Sequence, residues 1–194
     1  MKQSVKTLLN MFFVLVVSPF ILLHLVSAKF FHSDEGFIMS NQILSLAPGK
    51  LGSYLRKSFL RFSITHCPSD CSIGFSTLFS QPDTEIHTGV YIGPQCNIGS
   101  CNIKENCLLG SGVHILSGKG QHNFDDLDTP IQQQGGHYEK ITIGEDTWIG
   151  NGAIIMANIG RKCVIGAGSV VIKDIPDYSI VGGNPAKILK NRCP

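Results

Sequence analysis

The stretch "EIHTGVYIGPQCNIGSCNIKENCLLGSGVHIL" (85–116) decides the fold. Aliphatic side chains stand at Ile86, Ile92 and Ile98, and again at Ile103, Leu109 and Ile115. Within each set the interval is six residues, which fits neither the 3.6-residue period of a helix nor the alternation of a hairpin. Such a period marks a solenoid in which each unit supplies one short strand and one turn. The same phase continues on both sides: Ile73 and Phe79 precede it, and Ile143, Ile149, Ile155 and then Ile159, Ile165, Val171 follow. Three units close a triangular coil, so the pattern predicts about four complete coils and a partial first one.

Two further positions keep the same phase. The residue two before each aliphatic also points inward and is small: Cys71, Val90, Cys96, Cys101, Cys107, Val113, Thr147, Ala153, Cys163 and Ser169. Glycine often follows the aliphatic, as at Gly74, Gly93, Gly110, Gly150 and Gly166. Its tolerance of positive φ predicts that these glycines make the turns.

Composition agrees with an all-β solenoid. The chain has 194 residues, 43% hydrophobic and 15% charged, with 21 glycines. Charge is uneven: residues 1–65 carry seven Lys/Arg against Asp34 and Glu35, whereas the remainder carries nine against twelve acids. A basic segment beside the most apolar one points to an anionic membrane surface and away from nucleic acid, which calls for basic residues on the folded domain. Seven cysteines form no closed disulfide framework, and five of them occupy the small inward slot. They read as reduced thiols of a cytosolic compartment, acting as small hydrophobes. Only Cys67 and Cys193 lie outside the pattern.

"LLNMFFVLVVSPFILLHLVSA" (8–28) runs 21 residues without a charge, enough to cross a hydrocarbon core of ~30 Å. Pro19 and His24 leave room for a re-entrant geometry, and a cleaved signal peptide is the rival reading. Lys29, Lys50, Arg56, Lys57 and Arg61 follow the span, against Lys2 and Lys6 before it. The positive-inside rule then places the body in the cytoplasm. "LGSYLRKSFLRFSI" (51–64) reads as a helix lying on the membrane or packed on the body. The expected organisation is an anchor over 1–30, a partly helical lead-in over 31–70, the solenoid over 71–178 with a loop at 116–140, and a tail over 179–194.

"ITIGEDTWIGNGAIIMANIG" (141–160) and "CVIGAGSVVIKDIPDYSIVGGNPAKIL" (163–189) resemble the C-terminal signature of hexapeptide-repeat acyltransferases, in the branch of sugar, serine and xenobiotic acetyltransferases. The "APGKLGSYLRKSFLRF" lead-in (47–62) is more loosely similar to membrane-anchored acyltransferases of polysaccharide biosynthesis. The resemblance covers about two-thirds of the chain. It implies a left-handed parallel β-helix, a homotrimer with active sites between subunits, and acetyl-CoA as acyl donor without a metal.

The repeat breaks between Ile115 and Ile143, where "SGKGQHNFDDLDTPIQQQGGHYEK" (117–140) intervenes. A loop of this length in a compact domain is usually functional or disordered. In the family resembled, the catalytic histidine lies in such a loop, and His122 matches it. Transfer from a thioester to a hydroxyl needs a base for the hydroxyl proton, and a neutral imidazole of ordinary pKa ~6.5 is suited to that task. Asp125 or Asp126 is a candidate to orient the imidazole, and His114 and His137 are weaker candidates for the site. By the same resemblance the pantetheine arm of acetyl-CoA runs past Trp148, Gly150, Asn151, Ala153, Gly166 and Ala167. Lys173, Lys187 and Arg192, with Lys190, then face the CoA phosphates.

The reading is an acetyl-CoA-dependent O-acetyltransferase acting on a sugar hydroxyl, with a lipid-linked glycan as the envisaged acceptor at the cytoplasmic membrane. An N-acyltransferase acting on an amino sugar or sugar nucleotide is the alternative enzyme. A non-catalytic solenoid scaffold is the alternative outside catalysis. The histidine spacing does not match the three zinc ligands of a γ-class carbonic anhydrase.

Overall fold

A computed structural model describes residues 3–193. Three helices come first: α1 (Gln3–Phe31), α2 (Glu35–Ser45) and α3 (Gly49–Ser63). The solenoid opens with β1 (Ser72–Ile73) and β2 (Leu78–Phe79). One full coil is β3 (Glu85–Ile86), β4 (Tyr91–Ile92) and β5 (Asn97–Ile98). The next is β6 (Cys101–Ile103), β7 (Leu108–Leu109) and β8 (His114–Ile115). After the long loop come β9 (Ile141–Ile143), β10 (Trp148–Ile149) and β11 (Ile154–Ile155). The chain ends with β12 (Val164–Ile165), β13 (Val170–Val171), β14 (Ser179–Gly182) and β15 (Lys187–Asn191).

The strands stack into three parallel sheets, in the orders β1-β4-β7-β10-β12-β14, β2-β5-β8-β11-β13 and β3-β6-β9. Isolated bridges extend the third sheet from Ile143 to Ile159 and on to Ile175. Each sheet carries one inward column; Ile73, Ile92, Leu109, Ile149, Ile165 and Val181 make one of them, all buried. Full burial of one such side chain stabilises by roughly 1.5–3 kcal/mol. No two-residue strand stands alone, so the stack is cooperative with its neighbours.

Two features depart from the sequence expectation. Residues 179–194 are not a free tail: β14 adds to the first sheet, and β15 folds back antiparallel on its edge. The glycines after the aliphatics are not the positive-φ turns either. Positive φ falls three residues after the aliphatic, at Ser76, Gly89, Gln95, Asn106, Gly112, Asp146, Gly152, Lys162, Gly168 and Tyr178. Gly74 instead lies against the Gly93 backbone of the next coil, where a Cβ would collide. The coil spacing, and not the turn, excludes a side chain there.

The inward cysteines are buried and free. Burial raises the thiol pKa of Cys96, Cys101 and Cys163 and pushes that of Cys107 up to about 12, so they stay protonated. Cys67, outside the repeat, is buried beside Cys71 with the sulfurs 3.5 Å apart.

The helices close the first coil. Asn41 Nδ2 donates to the Phe79 carbonyl at 3.0 Å. Arg56 is buried and donates to Ile73 O and to Leu44, Ser45 and Ala47 carbonyls at the C-terminal end of α2. The 51–64 stretch is thus packed on the body, with Phe37 and Phe59 stacked beneath α1.

Candidate functional site

The loop leaves the solenoid after β8 and returns at β9, between two completed coils, so it interrupts no inward column. Its two legs are tied together: Glu139 N donates to Ser117 O, His137 N to Gly120 O and Asn123 N to Gly135 O, at 2.7–3.0 Å. Gln134 clamps the tip, accepting from Asp126 N and donating to the carbonyls of Asp126 and Thr129. A Cβ on Gly136 would strike the Gln121 carbonyl and come within 2.8 Å of His122 N. Glycine at 136 therefore sets the backbone beside His122.

His122 is exposed on the first leg of this ordered loop. Asp126, one of the two acids expected to orient it, is engaged in the loop tip. Its carboxylate accepts from Thr129 Oγ1 and from the N–H groups of Asp128 and Thr129. These bonds, the Thr129 hydroxyl first, hold its pKa below the usual carboxylate value. Asp125 is exposed.

Gln121, adjacent to His122, lines a cavity of about 130 Å³ at the loop base with Ser80, Asn97, His114 and Ser117. Asn97 and His114 are register partners on β5 and β8, and their side chains stand on the outer face. His114 was expected near the site, whereas Asn97, Ser80 and Gln121 were not. The outward phase of the hexad is the signal for Asn97, and Gln121 is signalled only by its place beside His122 in the loop.

On the other side of the loop base, a cavity of about 430 Å³ is lined by Lys119 and Glu139 of the loop and Met156, Ala157, Ile172 and Lys173 of the coils. Lys173 is thereby joined to the loop. The remaining residues of the expected acetyl-CoA set separate by exposure. Trp148, Asn151 and Ala167 are exposed along the solenoid, whereas Gly150 and Ala153 are buried. The Ala153 side chain is in the core, its N–H donates to Gly150 O, and its carbonyl accepts from His114 N. The Ala153 side chain thus fills the inward slot and does not reach the surface. Gly166 likewise donates to Val181 O. Lys187 and Lys190 are exposed on β15, and Arg192 Nη1 donates to Lys162 O at 2.8 Å. Among the described residues, no three His, Cys, Asp or Glu side chains gather as a metal ion requires.

Residues 140–173 match the family model described as the hexapeptide repeat of succinyl-transferase. These residues run from the returning leg of the loop through β13. Curated relatives include a probable macrolide acetyltransferase of Lysinibacillus sphaericus, 34% identical over 55% of this chain and 65% of the relative. A chloramphenicol acetyltransferase of Agrobacterium fabrum is 54% identical over 44% of this chain and 49% of its own. A probable acetyltransferase of Mycobacterium tuberculosis is 48% identical over 46% of this chain and 30% of its own. The chain therefore spans between 30% and 65% of the length of these relatives. Among solved structures, a maltose O-acetyltransferase from Clostridium difficile superposes with a TM-score of 0.58 at 22% identity, covering 86% of this chain and 90% of that one. A galactoside acetyltransferase in complex with coenzyme A gives 0.57 at 20% identity, covering 80% of each chain. These likenesses establish the fold of the hexapeptide-repeat domain, the left-handed parallel β-helix.

Proposed function

We propose that this chain is an acetyl-CoA-dependent O-acetyltransferase that modifies a sugar hydroxyl in cell-surface polysaccharide assembly, whether capsule, exopolysaccharide or O-antigen. The observation that carries the reading is the ordered loop that carries His122 and lines two cavities of different character, one through Gln121 and the other through Lys119 and Glu139. The smaller one, with Ser80, Asn97, His114 and Gln121, offers hydrogen-bonding groups suited to a polyhydroxylated acceptor. The larger one combines the apolar Met156, Ala157 and Ile172 with Lys119, Lys173, Glu139 and Asp174, and its apolar wall suits a pantetheine arm. The acetyltransferase relatives support the reaction class.

In the reaction, His122 takes the acceptor hydroxyl proton as the oxygen attacks the thioester carbonyl. The C–O bond forms, the C–S bond breaks, and the imidazolium returns the proton to the departing CoA thiolate. Holding the two substrates at attack distance supplies much of the acceleration. The exposure of Lys187 and Lys190 on β15 supports a role for them in pairing with CoA phosphates. Leu127 and Phe124, exposed at the loop tip, support a homotrimer in which the loop packs on a neighbouring subunit. The apolar α1 supports attachment to the cytoplasmic membrane, with the body on the cytoplasmic side near a lipid-linked glycan.

The test compares acetylation of surface glycan in cells expressing wild type and His122→Ala, with CoA binding followed by thermal shift on both purified proteins. The reading expects acetylation lost in the variant with CoA binding retained. Equal acetylation in the two strains removes the catalytic assignment, and wild type that binds neither CoA nor acetyl-CoA removes the enzyme.

A further inference from the structure

An apolar helix of 25 residues, Thr7–Phe31, with Lys29 as its one charge, invites the reading of a bilayer span, but its surroundings oppose that placement. One stripe of α1, formed by Phe13, Val17, His24 and Ser27, is buried against α2 and α3. The contact with α2 is close: Gly36 N donates to Ser27 Oγ, and a Cβ on Gly36 would lie 2.7 Å from the Leu23 carbonyl oxygen. α2 and α3 are in turn fixed to the solenoid through Asn41 and Arg56. α1 is therefore one wall of the helical cap, not a free tether.

The N-terminal half of α1 shares a groove of about 1000 Å³ with charged groups. Asn10, Val14 and Ser18 line one side, and Arg61 and Asp70 line the other. If α1 spanned with its middle at the bilayer centre, Arg61 and Asp70 would sit in hydrocarbon, where charged side chains are costly. The outer face of α1, away from the cap, has no such conflict: Leu8, Phe12, Leu22, Leu25 and Phe30 are exposed there, with Met11 and Leu15 at the edge of the groove. Lys29 and Lys50 are exposed nearby in sequence, with the basic charge that an anionic leaflet attracts.

We propose that α1 lies in the plane of a single leaflet, embedding its exposed apolar face among acyl chains while the cap and solenoid stay on one side. A lipid surface is the occupant because the face is long, continuous and uncharged from Leu8 to Ala28, with Lys29 in its last turn. The proposal rests on the membrane part of the reading above and is independent of the acetyl-transfer part. It differs from a spanning anchor in one measurable respect, since both chain ends lie on the same side of the bilayer.

The experiment uses the full chain with an N-terminal and a C-terminal epitope tag, in sealed inside-out and right-side-out membrane vesicles treated with protease. Purified protein is also floated with vesicles containing phosphatidylglycerol. Protection of both tags in one vesicle orientation and loss of both in the other supports the proposal. Tags lost from opposite orientations overturn it in favour of a span. Leu15→Glu and Leu22→Glu, whose fold is checked by circular dichroism, are each expected to reduce co-flotation at least tenfold. No co-flotation of wild type, or a stable soluble dimer that the same substitutions dissociate, overturns the lipid assignment. None of these readouts depends on acetyl transfer, so loss of the enzymatic reading leaves the result intact.

Discussion

The Arg56 guanidinium holds the Ile73 carbonyl with two of its nitrogens, Nε and Nη2, each at 3.1 Å. Ile73 begins the solenoid, and Nη1 of the same side chain holds Leu44, Ser45 and Ala47 carbonyls of the cap. One buried cation thus satisfies backbone acceptors on both sides of the junction, and burial lowers its pKa without removing its charge. Arg56→Met is expected to leave several buried carbonyls unpaired and to cost on the order of 3 kcal/mol. Arg56→Lys recovers only part of this, because an ammonium does not reproduce the planar fork. Urea unfolding followed by circular dichroism checks both values, and Arg56→Met with unchanged stability refutes the account.

His122 and Gly136 are expected to separate chemistry from loop geometry. His122→Ala removes an exposed side chain, so the melting temperature should hold while kcat falls by ~10²–10⁴. Gly136→Ala forces the Gln121–His122 backbone to move, so it too should lower kcat, with the solenoid's melting temperature nearly unchanged. A Gly136→Ala enzyme of wild-type kcat shows that the loop backbone does not position His122.

The columns of the solenoid were legible because a solenoid writes its core directly into the sequence: Ile86, Ile92 and Ile98 each begin a new side of one coil. The pair Ile175 and Val181 continues the columns but forms only part of a coil, so the reading stopped at Val171. The site was legible only where it lies in one segment. His122 stands in a visible break of the pattern, whereas Ser80, Asn97 and Gln121 come from two coils and the loop and meet only after folding. Arg56 was legible only as one of the cations that follow the apolar span, because its partners are carbonyls, which carry no sequence signal.

Leu127 is 95% exposed at the tip of a loop that is otherwise bonded internally. An apolar side chain held out by an ordered loop is consistent with a contact supplied by a second copy. Leu127→Asp is expected to shift a trimer toward monomer in sedimentation experiments while the melting of the isolated subunit stays the same. A wild-type chain that sediments as a monomer in detergent or lipid contradicts the assignment.

Lys140, at the end of the returning leg, places Nζ 2.6 Å from Glu85 Oε1 and 2.6 Å from the Asp83 carbonyl. Glu85 also receives a bond from Asn102 Nδ2, and His87 and Lys104 add positive potential. The Lys140 hydrogen bond is the main cause that holds the Glu85 pKa below its usual value of 4.5. A depressed carboxylate pKa adds stability that is present above the unfolded value and disappears as pH falls through the folded one. Both side chains are partly exposed, so the contribution is about 1 kcal/mol or less. Lys140→Met should therefore be less stable than wild type at pH 7, and the gap should narrow below pH 4.5. A residual gap should persist at acid pH, because the Asp83 carbonyl bond does not titrate. Thermal unfolding of both proteins from pH 7 down to pH 3 measures this, and a gap that widens on acidification contradicts the assigned pair.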